Sequence, residues 1–137
     1  MKFIIFGLLI QVLPSLANAV DVKRIDLFLN SDMKIQNKAY ARDVDLHVHY
    51  VDSVEQLEAQ ISRGLPNNPG DAARILKQRI QDPEFNRRVG RSYLPALRAK
   101  KAGISRIPAA VINNVQGVIY GSTDITRILT AAENVED

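Results

Sequence analysis

Apolar positions along the chain change period several times, and each change marks an element. Val22 to Asn30 is a mostly apolar run with Val22, Ile25, Leu27 and Leu29, the signature of a buried strand, and Asn30-Ser31-Asp32 ends it in turn and cap residues. Met33 to Ala41 predicts a short helix on a weak pattern. Val44 to Val51 alternates strictly. Val44, Leu46, Val48 and Tyr50 share one face and Asp45, His47 and His49 the other, so a half-buried strand with solvated histidines is expected. Asp52-Ser53 opens a helix, with Gln56 in capping-box position after Ser53 and Val54, Leu57 and Ile61 as its stripe. Gly64 ends that helix ahead of the Pro66–Gly70 loop.

Asp71 then predicts the cap of a helix whose Ala72, Ala73, Leu76 and Ile80 face inward. Asp82-Pro83 starts another, with Phe85, Val89, Tyr93 and Leu97 in steps of four and Pro95 expected to kink or restart it. Ala109 to Ile112 and Val118 to Tyr120 read as a hairpin across an Asn113–Gly117 turn. Gly121-Ser122-Thr123-Asp124 leads into a last helix that turns Ile125, Ile128 and Leu129 inward, with Ser122 or Thr123 as its cap. This order predicts one α/β domain, β-α-β-α-β-β-α, with an extended helical segment between strands two and three. A β-α-β half followed by a β-β-α half is the thioredoxin-like arrangement, its first two strands parallel and its last two antiparallel. Ile107-Pro108 falls just before the third strand, where that fold places a cis proline facing the loop after the first strand.

The N-terminus follows a different logic. Met1-Lys2, an apolar run from Phe3 to Leu13 and the small residues Ala17-Asn18-Ala19 describe a secretory signal peptide over residues 1–19, cut after Ala19. The run is shorter than a membrane span and ends in proline, so no stable anchor is expected after cleavage. The predicted domain is residues 20–137, exported to the periplasm. Among the 137 residues there is no cysteine, which removes disulfides, thiol nucleophiles and thiolate metal sites from a protein destined for an oxidising space.

Several segments resemble one family in their order and spacing: the leader, the strand ending in Asn30-Ser31-Asp32, Gly64-Leu65-Pro66, the arginine-rich helices, Ile107-Pro108-Ala109-Ala110-Val111 and Val118-Ile119-Tyr120-Gly121-Ser122-Thr123-Asp124. The family is that of small exported proteins encoded in the transfer regions of integrating conjugative elements. The resemblance implies a thioredoxin-like fold and a role in conjugative type IV secretion, with partners in that apparatus. It implies no catalytic activity.

The candidate chemistry is correspondingly spare. Thiol–disulfide exchange needs a thiolate, and Ser31-Asp32-Met33-Lys34 stands where a redox pair would sit. What remains is binding along Ser31, Asp32, Met33, Ile107 and Pro108, by an extended peptide added as a strand. His47 and His49 have the spacing of a two-histidine metal pair, with Asp45 as a conceivable third ligand. Solvated residues on an outer strand explain them without a metal, and no cofactor is expected. Gly121-Ser122-Thr123-Asp124 resembles the junction with which glutaredoxins hold the glutathione carboxylate, but helix capping accounts for it.

Charge is the most polarised signal. Residues 63–106 hold eleven basic side chains against three acidic ones, while the flanking segments are each net negative. Arg87, Arg91, Arg98 and Lys101 fall on one helix face, suited to an acidic protein surface, anionic lipid or DNA. DNA is disfavoured because aromatics do not interleave the cations. A non-catalytic, cysteine-free binding accessory is therefore the expected function. The alternatives are a metal protein or enzyme using His47 and His49, or a nucleic-acid-binding accessory using the basic stretch.

Overall fold

The computed structural model describes residues 20–114 and 116–134, so the predicted leader lies outside the described residues. Its elements run β1 (Arg24–Leu29), a 3-10 turn (Lys38–Ala41), β2 (Asp45–Tyr50), α1 (Ser53–Arg63), α2 (Pro69–Ile80), α3 (Pro83–Lys101), β3 (Ala109–Ile112), β4 (Gly117–Tyr120) and α4 (Ile125–Glu133). The strands form one sheet in the order β2-β1-β3-β4. As expected from the element order, β1 and β2 are parallel and β3 and β4 antiparallel; β3 also pairs antiparallel with β1. The described residues form a mixed α/β domain with a four-stranded sheet and four α-helices. Among the described residues no helix is long and apolar enough to cross a membrane.

The pleat of β1 sorts the interior into two halves. Ile25, Leu27 and Leu29 point to one face and pack, fully buried, with Ala110, Ile112, Ile125, Ile128 and Ala132. The opposite face takes Phe28, Val111 and Ala99 with the partly buried Val51, Ala102, Ile104 and Ile107. That second layer has fewer large side chains, and Asp26 and His49 are buried beside it. α1 and α2 have no fully buried residue.

Several local expectations are corrected. No α-helix forms over Met33–Ala41. The segment is a turn followed by one 3-10 turn, and Asn37 before it is left-handed at φ 55°. The Lys-Ala-Tyr-Ala turn buries none of its residues fully, and a single turn is too short to sustain an α-helix without such burial. α3 is one continuous helix through Pro95 rather than two. Its partly buried positions run through Phe85, Val89, Ser92 and Pro95 to the buried Ala99, leaving Tyr93 and Leu97 about half exposed. Steps of four advance 400° on a helix of 100° per residue, so an all-fours stripe rotates away from the sheet unless steps of three correct it. The same drift exposes Ile80 in α2, where Ala72, Ile75 and Leu76 are the apolar positions facing inward.

The caps also differ from expectation. Asn68, not Asp71, caps α2, accepting from the Gly70 and Asp71 amides with Pro69 in the first turn. Asp124 caps α4 by accepting from the Thr126 amide at 3.0 Å. Ser122 Oγ accepts from the Asp124 amide and Thr123 Oγ1 donates to the Lys34 carbonyl. α1 begins after Asp52, and Ser53 donates its hydroxyl to the Tyr50 carbonyl rather than joining a capping box.

Candidate functional site

A mainly apolar cavity of about 240 Å³ opens on the α3 face of the sheet. Its floor is Asp26 and Phe28 of β1 with His49 of β2, Val111 closes one side, and Ala102, Arg98 and Lys101 come from the end of α3. Asn114 of the β3–β4 turn, left-handed at φ 65°, completes the lining.

The position of these groups follows from the strand register. Asp26 and Phe28 are alternate residues of β1 and share its α3 face, while Phe28 lies beside His49 in the parallel β1–β2 ladder. The Phe28 and His49 rings stack with centroids 4.7 Å apart. His49 Nε2 lies 2.8 Å from Asp26 Oδ1, and both residues are more than nine-tenths buried. Arg24 grips the same carboxylate bidentately, Nε donating to Oδ2 at 2.7 Å and Nη2 to Oδ1 at 2.9 Å. The Arg24 guanidinium holds the Asp26 carboxyl at about 2, outweighing burial, which pushes it up, and His49 lowers it further. Asp26 in turn pushes Arg24 above its ordinary value. An ionised Asp26 only accepts hydrogen bonds, so His49 Nε2 carries the hydrogen between them and Nδ1 is the nitrogen left for another partner.

His49 is therefore not the solvated residue its alternation suggested: α3 covers the polar face of β2. Deficient bulk in that layer leaves room for a histidine, and Asp26 satisfies it. His47 has a partly exposed side chain, but its Nε2 is turned out of solvent. Its Nε2 stands at ion-pair distance from Asp45 Oδ2, 2.8 Å, yet the approach lacks hydrogen-bond alignment and the nitrogen is unsatisfied. The two imidazoles thus answer to different carboxylates, His47 to Asp45 and His49 to Asp26. Among the described residues no three His, Asp or Glu side chains converge as a metal site.

The expected basic face divides. Arg87 and Arg91 are both drawn to Glu84, each with an N···O distance of 2.7 Å. Arg98 and Lys101, two to four turns further on, have no acidic partner among the described residues and stand at the cavity mouth. The charge count made these four cations equivalent, but the position of Glu84 in the first turn of α3 separates them.

The residues flanking the third strand and the loop after β1 take separate places. The Ser31 amide donates to both Asp52 oxygens at 3.0 and 3.1 Å, and its hydroxyl donates to Oδ2 at 2.6 Å. Burial pushes the Asp52 carboxyl up, but the Ser31 hydrogen bonds prevail and hold it below the usual aspartate value. Asp32 is exposed, and Met33 packs with the α4-side core. Ile107 packs on the opposite side of the sheet with Phe28 and Val111. The Ile107-Pro108 bond is cis, and the Pro108 carbonyl accepts from the Gly121 amide at 2.9 Å. Sequence reasoning missed Asp26 and Arg24 altogether. Their signal was a charged i, i+2 pair inside an otherwise apolar strand, which a solvent-facing pleat would also explain.

No curated protein and no solved structure matches the chain. A family model described as a protein of unknown function, DUF1525, matches residues 23–135, and with nearly the whole described domain inside that match the chain belongs to the DUF1525 family.

Proposed function

We propose that this protein is an exported, thioredoxin-like accessory of a conjugative transfer system that acts in the periplasm by binding a protein partner, without thiol chemistry. The leader pattern and the family likeness support the location and process. The β2-β1-β3-β4 order, with one parallel and two antiparallel pairings, supports the thioredoxin-like reading. A chain with no cysteine has no thiolate with which to exchange disulfides.

The observation that carries binding as the mode of action is the outer surface of α3. Tyr93, Leu94 and Leu97 are 49, 43 and 58% exposed, close together on one flank of the helix, and Arg98 and Lys101 follow them without acidic partners among the described residues. Apolar side chains bordered by unneutralised cations fit a partner surface with apolar residues and a carboxylate rim. The Ser31 and Pro108 neighbourhood is a weaker docking edge, since Asp52 and Gly121 already use polar groups there.

The test is co-purification from mating cells together with transfer frequency. Wild-type protein is expected to recover a component of the transfer apparatus, and Leu97→Asp, at an exposed position, to lose both the component and transfer. Unaltered transfer from cells lacking the protein, with no transfer component recovered, would overturn the proposal.

A further inference from the structure

We infer that the cavity between the sheet and the end of α3 is a binding site for a small carboxylate carried on an apolar body. Two independent features of the site specify that chemistry. The first is the electrostatic layout from floor to mouth. Arg24 and Asp26 neutralise one another, and His49 spends its Nε2 hydrogen on Asp26. The floor therefore offers little charge to a ligand. The mouth carries Arg98 and Lys101, which no acidic side chain among the described residues offsets. An anion is favoured at the mouth and not at the floor.

The second feature is the wall. Phe28, Val111 and Ala102 make the interior mainly apolar, and the Phe28 ring is fixed by stacking on His49. A volume of about 240 Å³ holds a phenyl or short alkyl group with its carboxylate at the rim. His49 Nδ1 has no partner among the described residues, and Asn114 brings a side-chain amide to the lining. These two groups add polar recognition to a wall that is otherwise hydrocarbon. Arg98 and Lys101 border both surfaces, but docking on the outer flank of α3 also engages Tyr93, Leu94 and Leu97, which do not line the cavity.

The same carboxylate chemistry occurs in a free organic acid and at the C-terminus of a peptide ending in an apolar residue. Titrations of the purified chain with 3-phenylpropionate and with a tripeptide ending in phenylalanine separate the two sources, the first run beside 3-phenylpropanamide and the second beside its C-terminal amide. Expected for at least one acid is saturable binding with a Kd on the order of 1 mM or tighter, the range open to a ligand of this size. NMR shifts should localise to Phe28, His49 and Asn114. Tighter binding of the tripeptide would assign the site to chain ends, and tighter binding of phenylpropionate to free acids.

Arg98→Gln with Lys101→Gln should weaken binding about tenfold, the loss of two charge-assisted contacts at an exposed rim. Arg87→Gln with Arg91→Gln removes the same charge from the same helix away from the cavity and should leave binding unchanged. All four positions are exposed, so folding is preserved in both variants. Absence of saturation for both acids at 10-fold above that Kd, equal binding of acids and amides, or equal weakening by the two double variants would each overturn the assignment. Because purified protein alone is titrated, failure here leaves partner docking on the α3 flank standing, and failure of co-purification leaves this cavity assignment standing.

Discussion

Replacing Asp26 with asparagine should destabilise the fold in a manner that depends on pH. The exchange is nearly isosteric, so packing of the strand is kept. The carboxylate that accepts from Arg24 Nε, Arg24 Nη2 and His49 Nε2 becomes an amide. Its Nδ2 then faces a donor, and at least one buried hydrogen bond is lost. In the native fold the Asp26 carboxyl titrates at about 2 against an ordinary value of 3.8. A displacement of that size corresponds to about 2.5 kcal/mol favouring the ionised form, and screening through the partly exposed Arg24 reduces the usable part to about 1–2 kcal/mol. The unsatisfied group left by asparagine adds on the order of 1 kcal/mol.

Urea denaturation of the purified chain and the variant measures this directly. With a slope of roughly 1.2 kcal/mol per molar urea for a domain of this size, the midpoint at pH 7 should fall by roughly 2 M. Because the folded value lies below the unfolded one, the Asp26 contribution is complete above about pH 5. It fades as pH drops through 4 towards 2, where wild-type Asp26 also becomes protonated. The gap between the two proteins should therefore narrow over that acid range. A gap that is constant from pH 7 to pH 3, or absent at pH 7, would refute the view that the Arg24–Asp26–His49 cluster is held together by an ionised carboxylate.

Three further outcomes are expected. Ile128→Ala empties a fully buried position between α4 and the sheet and should cost about 2–4 kcal/mol by denaturation, whereas Leu97→Ala on the exposed flank should cost less than about 0.5. Asp124→Ala removes the α4 cap and the tie to Asn37 and should lower Tm by roughly 4–8 °C in a thermal melt, with Asp124→Asn largely restoring it. Ser31→Ala removes the 2.6 Å hydroxyl donation to Asp52, so the Asp52 carboxyl should titrate higher when followed by NMR, and an unchanged titration would mean that the amide alone holds it down.

Local pattern was sufficient where local physics decides. The β2 strand, the apolar run in β1, the hairpin and the Val54-Leu57-Ile61 stripe of α1 are all present, since each is set by a short-range period and a nearby turn, whereas the burial expected from the β2 alternation is not: His49 is buried and Tyr50 exposed. Cap identity was less legible. Asn68, Ser122, Thr123 and Asp124 all carry suitable oxygens, and which one meets an amide depends on the angle at which the chain enters the helix.

The sequence by itself determined the four strands and the helices after β2 in their order, the concentration of cations between Arg63 and Arg106, and the absence of any thiol, but not the turn that replaces a helix between β1 and β2. Only the tertiary structure decided that His49 meets Asp26 across 23 residues, that Glu84 takes up Arg87 and Arg91, and that Arg98 and Lys101 stand at the mouth of the cavity above that pair. The reason is that periodicity says which residues share a face but not what packs against it. Once α3 lies over the sheet, a strand face patterned for water becomes an interior, and its histidine requires a carboxylate that no local rule could have named.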